Sequence, residues 1–469
     1  MSNTLMVGVS GIRGIVGTDL TPENVARYAA AFGTWAKDGK RETGNVKRAR
    51  VVLGRDARTS GPMLMAAAMA GLQSVGVDIV DIGLTTTPTI QLAVEHHRAA
   101  GGIILTASHN PIEWNALKFV GADGIFLDTE SGARVRDLAA QETLPRADWS
   151  EIGQVLEDDA SIARHLDAIL KLKVVDVSAI KKRKFRVALD CVRGAGGAIM
   201  PLLLERLGCR VYSINLETDG RFPRPPEPIP ANLTDLGKLV RSKQADVGIA
   251  VDPDVDRLAL VDEKGRAIGE DYTLAFAVRA LLGKWKASAK RKLGPVVVNL
   301  STSLVVDDAA RDGGVDILRA PVGEAHVARM ILGTKSPIGG EGNGGVMYPA
   351  LHAGRDAPLA TALVLALLAR VERPVSDIVK AHPQYVIVKG KVPRGDRSAA
   401  LDPVYEALRS RFPDADVNSD DGLRLAWSDR WLHVRPSNTE PIIRLIAEAP
   451  TGALAEQLVE EGRQTCAAS

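Results

Sequence analysis

Short runs rich in valine and isoleucine recur between helical patterns along the first 370 residues, and this alternation constrains the fold more than any other feature of the chain. Arg50-Val51-Val52-Leu53 precedes a helical pattern from Gly61, and residues 78–82 and 101–105 repeat the apolar run. Segments of this kind bury sheet faces under helices, so the alternation predicts α/β layers. The rhythm returns at 185–189 with a helix over 198–207, at 245–251 and at 258–261. It appears again at 296–300 with a following helix, and at 316–318 with a helix beginning near Glu324. One α/β unit used three times is the expectation.

The last hundred residues change character. Residues 384–388 and 422–427 alternate apolar and polar as half-exposed antiparallel strands do, and a closing helix over 454–464 carries Leu454 and Leu458 on one side. At 469 residues the chain exceeds a single core, since domains average about 150 residues. The expected fold class is α/β: three similar α/β domains with mixed sheets plus a C-terminal α+β domain around a central cleft. Breaks are expected to give domains 1–150, 151–258, 259–370 and 371–469. The most apolar stretch, residues 357–369, is shorter than the roughly 20 residues that cross a bilayer and predicts a buried helix.

A formal charge of +2 gives no sign of a nucleic-acid or membrane-surface binder. The basic run Lys181-Lys182-Arg183-Lys184 directly precedes a strand and reads as a solvated linker face. Cys191, Cys209 and Cys466 lack paired spacing, which fits a reducing cytoplasm, and no secretory leader is visible. The expected partner is a small molecule, with the chain a monomer or homodimer.

Chemistry concentrates in two segments. Thr106-Ala107-Ser108-His109-Asn110-Pro111 follows a strand, where α/β sheets open into their ligand cleft, and offers one hydroxyl nucleophile. Asp252-Pro253-Asp254-Val255-Asp256-Arg257 lies between two core strands; its carboxylates, two residues apart, would leave one face of an extended backbone and converge on a hard cation such as Mg²⁺. A calcium loop would place Glu263 at its twelfth position but fails at Arg257, where such a loop needs glycine. Hydroxyl plus carboxylate-bound cation points to phosphoryl transfer, with a cation or Arg257 offsetting mutual repulsion of the aspartates.

Weaker signals surround this pair. His109 adjoins Ser108 in sequence, which suits a loop-fixing or phosphate-contacting group better than a general base. Lys118, ten residues beyond Ser108, is the nearest proton-handling candidate. The glycine-dense segment 340–345 carries Glu341 and Asn343, which suit sugar hydroxyls, whereas a carboxylate there would repel a phosphate. Arg435, Ser437, Asn438 and Thr439 gather donors matched to phosphate oxygens. The glycines around Arg13 and the segment Gly54-Arg55-Asp56-Ala57-Arg58 each suit arginines at an anionic ligand or a tight turn with a structural ion pair, Arg55 and Asp56 being the candidates for scaffold roles.

Together, and in this order along essentially the whole chain, these segments resemble the α-D-phosphohexomutase superfamily. The resemblance implies a phosphoserine at Ser108, Mg²⁺ held by Asp252, Asp254 and Asp256 with a phosphoserine oxygen, and Lys118 as general acid or base. It further implies Arg13 and Arg257 near the phosphoryl group in transit and Glu341 and Asn343 on sugar hydroxyls. Arg435, Ser437, Asn438 and Thr439 would hold the phosphate that is not reacting. Hexose 6-phosphate and hexose 1-phosphate would then interconvert through a hexose 1,6-bisphosphate. Many members have Ser where Asn343 stands and His where Gly345 stands; these departures, with Pro321-Val322-Gly323-Glu324, are closer to phosphoglucosamine mutases and archaeal-type mutases. Glucosamine 6-phosphate is the expected substrate, with a glucose or mannose phosphate mutase as the alternative. A non-catalytic sugar-phosphate-binding regulator and a metal-dependent sugar phosphatase are the readings from other classes.

Overall fold

The computed structural model describes residues 5–8, 11–42, 48–286, 293–394, 401–437 and 442–468. Four sheets follow one another along the chain. The first has seven strands in the spatial order Met6–Gly8, Gly11–Ile15, Trp114–Gly121, Gly101–Leu105, Arg50–Arg55, Asp78–Leu84 and Val155–Glu157. Its centre is parallel: Arg50–Arg55 pairs in parallel with both Gly101–Leu105 and Asp78–Leu84. Trp114–Gly121 then returns antiparallel, making the sheet mixed. Every residue of Gly101–Leu105 is buried, as a strand covered by helices on both faces requires.

The second sheet orders Leu258–Val261, Val247–Val251, Arg186–Asp190 and Arg210–Ile214; the third orders Ile317–Ala320, Val296–Asn299, Gly339–Glu341, Gly345–Tyr348 and His352–Arg355. Both are again parallel at the centre with an antiparallel edge. The first two sheets extend past the breaks expected at 150 and 258. Val155–Glu157 pairs with Asp78–Leu84, and Leu258–Val261 turns back on Val247–Val251 as a hairpin partner. Backbone pairing carries the sheets across points where composition alone suggested a joint.

The helix Ala357–Val371 is buried at every residue from Ala357 to Ala369. It packs in one apolar cluster that runs from Leu166 through Val247, Phe276 and Leu363 to Ile378, so the second and third sheets share a core. No helix among the described residues is long and apolar enough to cross a membrane. The fourth sheet, Val386–Pro393, Ile442–Ala449, Trp431–Pro436, Leu423–Ala426 and Asp416–Asn418, is antiparallel throughout, and the helix Gly452–Ala468 lies against it. Leu423, Leu425, Leu432, Val434 and Leu445 face that helix's Leu458 and Val459 in a separate small core.

Candidate active site

The loop after Gly101–Leu105 is held from beneath by Arg58, a fully buried arginine. Its guanidinium donates to four loop carbonyls, those of Ser108 (2.6 Å), Asn110 (2.7 Å), Pro111 (2.6 Å) and Trp114 (2.8 Å). Its Nε pairs with Asp56 Oδ2 at 3.2 Å. Asp56 also accepts from Thr106 Oγ1 at 2.6 Å, and Thr106 Oγ1 in turn accepts from the Ser108 N–H at 2.9 Å. The ion pair expected of Arg55 and Asp56 is therefore made by Arg58 and Asp56; Arg55 reaches only the Asp56 carbonyl, at 3.0 Å. Arg55 ends its strand half-buried, while the turn that follows carries Arg58 inward under the loop. Within this cradle Ser108 adopts φ of +47°, a left-handed conformation that a non-glycine residue holds only when its surroundings impose it.

Ser108 Oγ donates to Asp252 Oδ2 at 2.9 Å across 144 residues of sequence. Asp252, Asp254 and Asp256 are buried, and one oxygen from each lies within 4.8 Å of the others. The expected convergence is present, but an extended backbone does not produce it. Residues 253–255 form a turn, with Val255 at φ of +63°, costly for a β-branched side chain. Neighbouring units clamp the turn. Thr87 donates through Oγ1 to Asp254 Oδ2 (2.8 Å) and through N to Asp254 O (2.9 Å), while the Ala357 N–H donates to Val255 O at 3.2 Å.

The electrostatics of the trio are split. Burial, then repulsion from Asp256 and Asp254, pushes Asp252 well above the usual carboxylate range. Burial also opposes charge on Asp254, but Lys118 and the hydrogen bonds from Thr87 and Lys118 carry it well below that range. Asp254 Oδ1 and Asp256 Oδ1 are buried and accept no hydrogen bond from any described residue. Orphaned carboxylate oxygens at this spacing fit a hard cation.

Lys118, on the strand Trp114–Gly121, reaches Asp254 Oδ2 at 2.9 Å, and Arg13 Nη1 donates to Asn110 Oδ1 at 2.8 Å. Arg257 donates its N–H to Asp252 Oδ1 (3.2 Å) and sits 3.7 Å from Asp256 Oδ1 and 3.4 Å from Glu227. His109 Nδ1 lies 3.3 Å from Ser108 Oγ. Arg257, burial, Arg13 and Lys118 together hold His109 well below the usual imidazole range, and a ring of such low basicity suits fixing the loop better than abstracting protons. These cations crowd around a serine hydroxyl, an arrangement that favours an anion there.

Glu341 ends Gly339–Glu341 and is buried, its Oε1 accepting from Asn299 Nδ2 (2.9 Å) and from the Gly323 N–H (3.2 Å). Asn343 Nδ2 lies 3.5 Å from Glu341 Oε2, and its Oδ1 accepts from the Gly345 N–H at 3.2 Å. Leu258 N donates to Gly344 O at 3.1 Å, which ties the glycine-rich hairpin to the end of the aspartate loop.

The sequence did not single out Arg355 or Thr87, and Arg58 entered only as the last residue of the segment Gly54-Arg55-Asp56-Ala57-Arg58. Arg355, with Asp356, leads into a thirteen-residue apolar stretch, and charges forced into such a setting need buried partners; that was the available signal. Arg257 was expected to offset the aspartates, whereas Arg355 on Asp256 and Lys118 on Asp254 supply the shorter contacts.

On the fourth sheet, Arg435 pairs with Asp421 Oδ2 at 2.9 Å, and Asp421 Oδ2 also accepts from the Val322 N–H at 3.1 Å. The relay therefore runs from Arg435 through Asp421 to residues 322–323 and Glu341. The Ser437 N–H donates to Ile442 O at 2.9 Å. Asn438 and Thr439 lie outside the described residues.

The same sheet docks through His433, whose Nε2 donates to Asp421 O (2.7 Å) while Nδ1 accepts from Ser301 Oγ (2.8 Å). Burial, with Arg435 and Arg424 nearby, pushes this imidazole down to about 4. An unfolded histidine titrates near 6.5, so between these values the unfolded chain binds the extra proton, and stability present above pH 6.5 is lost as pH falls toward 4, by up to about 3 kcal/mol. Melting curves across pH 4 to 7 should show this acid limb, and His433→Gln should flatten it. An unchanged limb would locate the titrating group elsewhere.

Comparison with known proteins agrees across the chain. The domain descriptions "Phosphoglucomutase/phosphomannomutase, alpha/beta/alpha" I, II and III match residues 4–146, 163–265 and 270–386, and the corresponding C-terminal domain matches 387–464. A phosphoglucomutase/phosphomannomutase of Thermococcus kodakarensis is 39% identical over 97% of both chains. A probable phosphoglucosamine mutase of Methanopyrus kandleri is 36% identical over 97% of this chain and 96% of its own. The crystal structure of a phosphoglucomutase/phosphomannomutase family protein from Burkholderia thailandensis superposes with a TM-score of 0.82 at 25% identity, covering 99% of this chain and 98% of its own. With all four domains matched in order on a mixed-sheet α/β architecture, the chain belongs to the phosphoglucomutase/phosphomannomutase family, the α-D-phosphohexomutases, and is an isomerase of that class.

Proposed function

We propose that the protein interconverts glucosamine 6-phosphate and glucosamine 1-phosphate through a phosphorylated Ser108 and a 1,6-bisphosphate intermediate. The observation that carries the reading is the Ser108 Oγ to Asp252 hydrogen bond of 2.9 Å, which sets a strained serine against the carboxylate trio. In the first half-reaction the phosphorus–Oγ bond of phosphoserine breaks as a bond to the free sugar hydroxyl forms, and the hydroxyl proton passes to a nearby base. Lys118 is the candidate for that proton and for its return. In the second half-reaction the turned-over bisphosphate returns its other phosphoryl group to Ser108 Oγ.

Asp252, Asp254 and Asp256 would hold Mg²⁺, which when bound neutralises charge on the moving phosphoryl group. Arg13 and Arg257 stand where they add to that neutralisation, while Arg435 and Ser437, with Asn438 and Thr439, would grip the distal phosphate. Glu341 and Asn343 would meet the sugar hydroxyls. Glucosamine is favoured because relatives from Methanopyrus kandleri, Methanosarcina acetivorans and Pyrococcus abyssi carry the name probable phosphoglucosamine mutase. The Thermococcus relative at 39% identity favours a glucose or mannose phosphate instead. Side-by-side turnover of glucosamine, glucose and mannose 6-phosphates decides between them. The expected result is the highest kcat/KM on glucosamine 6-phosphate; equal or better turnover of a neutral hexose phosphate would reject the substrate, and release of inorganic phosphate as the main product would reject the mutase.

A further inference from the structure

Arg355 occupies the junction between the aspartate loop and the glycine-rich hairpin. Its guanidinium meets three carboxylates from three separate segments: Asp256 Oδ2 at 2.5 Å, Glu341 Oε2 at 2.7 Å and Glu324 Oε2 at 3.1 Å. The side chain is nearly fully buried, so none of these contacts is weakened by water. The contact with Asp256 uses Oδ2 alone and leaves Oδ1, the buried oxygen without a hydrogen bond, for a cation.

Two further features keep the fork in place. Gly345 pairs opposite Glu341 in the hairpin, and a Cβ added there would lie 2.2 Å from Arg355 Cδ and 2.8 Å from Cγ. The missing side chain is thus the passage through which the arginine stem crosses the hairpin. The backbone is fixed as well. Asp356 is fully buried, accepts from His165 Nε2 (2.8 Å) and His352 Nε2 (3.0 Å), and caps the following helix through the Leu359 N–H (2.8 Å).

A single cation shared by Asp256 and Glu341 links their energetics. Charge drawn from Arg355 by one carboxylate is lost to the other, and a metal ion that takes over part of Asp256's negative charge releases Arg355 toward Glu341. We infer that Arg355 is a positioning residue that couples occupancy of the cation site to the carboxylate of the sugar-facing loop. The sugar-facing role of Glu341 rests on the function proposed above, whereas the coupling itself rests only on the three contacts.

The test is a double-mutant cycle on Mg²⁺ affinity, read by titration calorimetry on dephosphorylated full-length protein without sugar. Glu341→Gln frees Arg355 to hold Asp256 more tightly and should weaken Mg²⁺ binding about fivefold in the wild-type background. In the Arg355→Met background the same change should alter the Kd by less than about twofold. Arg355→Lys, which keeps a charge but lacks the fork, should behave as Arg355→Met does. Gly345→Ala retains every charge and displaces chiefly the arginine stem, with Asn343 Oδ1 at 3.1 Å, so it serves where Arg355→Met fails to fold; it too should shrink the Glu341→Gln effect. Equal Glu341→Gln effects in the wild-type and variant backgrounds would overturn the inference. Because no turnover is read, failure to convert any hexose phosphate would count against the proposed function and leave this measurement decisive on its own question.

Discussion

Ser108→Ala is expected to remove phosphoryl transfer by a factor of at least about 10³ while leaving the protein folded. The substitution deletes the one protein atom that in the proposal bonds covalently to phosphorus, and loss of a covalent nucleophile is among the largest single-residue effects known in enzymes. The structural cost is small by comparison. Ser108 Oγ makes one hydrogen bond to a carboxylate, to Asp252, worth about 1.5 to 3 kcal/mol. Two measurements check the prediction together. Intact-mass spectrometry with peptide mapping should find a single phosphate on the Ser108 peptide of the wild-type protein and none on the variant. Mutase assays should find the rate gone. A variant that retains wild-type turnover would end the phosphoserine mechanism, whatever the sugar.

Arg58→Met should have the largest effect on stability. The arginine is wholly buried, and its removal strands four loop carbonyls and the buried Asp56 carboxylate at once. Breaking a buried ion pair from one side costs about 3 to 5 kcal/mol, because the surviving charge loses its partner in a dry setting. Burial already raises Asp56 above the usual carboxylate range despite Arg58, so the variant should take up a proton there instead of keeping the charge. For a unit of about 150 residues each kcal/mol moves the midpoint by some 2 to 4 °C, so calorimetry should show one transition falling by roughly 10 °C. Activity should fall further than stability explains, since the same guanidinium holds the loop in which Ser108 keeps its left-handed backbone. A variant with unchanged melting and turnover would show that the loop holds its shape without Arg58.

Several elements were legible in the sequence because they depend on local periodicity. The apolar runs at 101–105 and 247–251, the buried helix Ala357–Val371 and the alternating strands of the last unit all follow from which side chains must leave water. The helix at Glu324 begins at the expected residue. That Ser108 and the three aspartates come together was legible for another reason: a hydroxyl and three carboxylates placed at the ends of core strands meet at the cleft those ends share. The roles of Arg58 and Arg355 were not legible, because the loop carbonyls that Arg58 holds lie 50 to 56 residues away and Asp256 lies 99 residues from Arg355, separations that periodicity does not pair.

The amino-acid order alone settled the strongly periodic strands and helices and which segments carry hydroxyl, carboxylate and guanidinium groups, whereas Gly11–Ile15, Trp114–Gly121 and the pair Gly339–Glu341 and Gly345–Tyr348 became strands only through their sheet partners. Tertiary structure decided how the aspartates converge: a turn forced through a left-handed valine, clamped by Thr87 from the first unit and by the Ala357 N–H from the third, in place of an extended strand. It also decided which cation each carboxylate answers to, giving Asp56 to Arg58, Asp254 to Lys118, and Asp256 with Glu341 to Arg355. The reason is physical. Hydrophobic periodicity acts over a few residues and is written in neighbouring side chains, whereas a buried charge is tolerable only where the finished fold supplies its counter-charge.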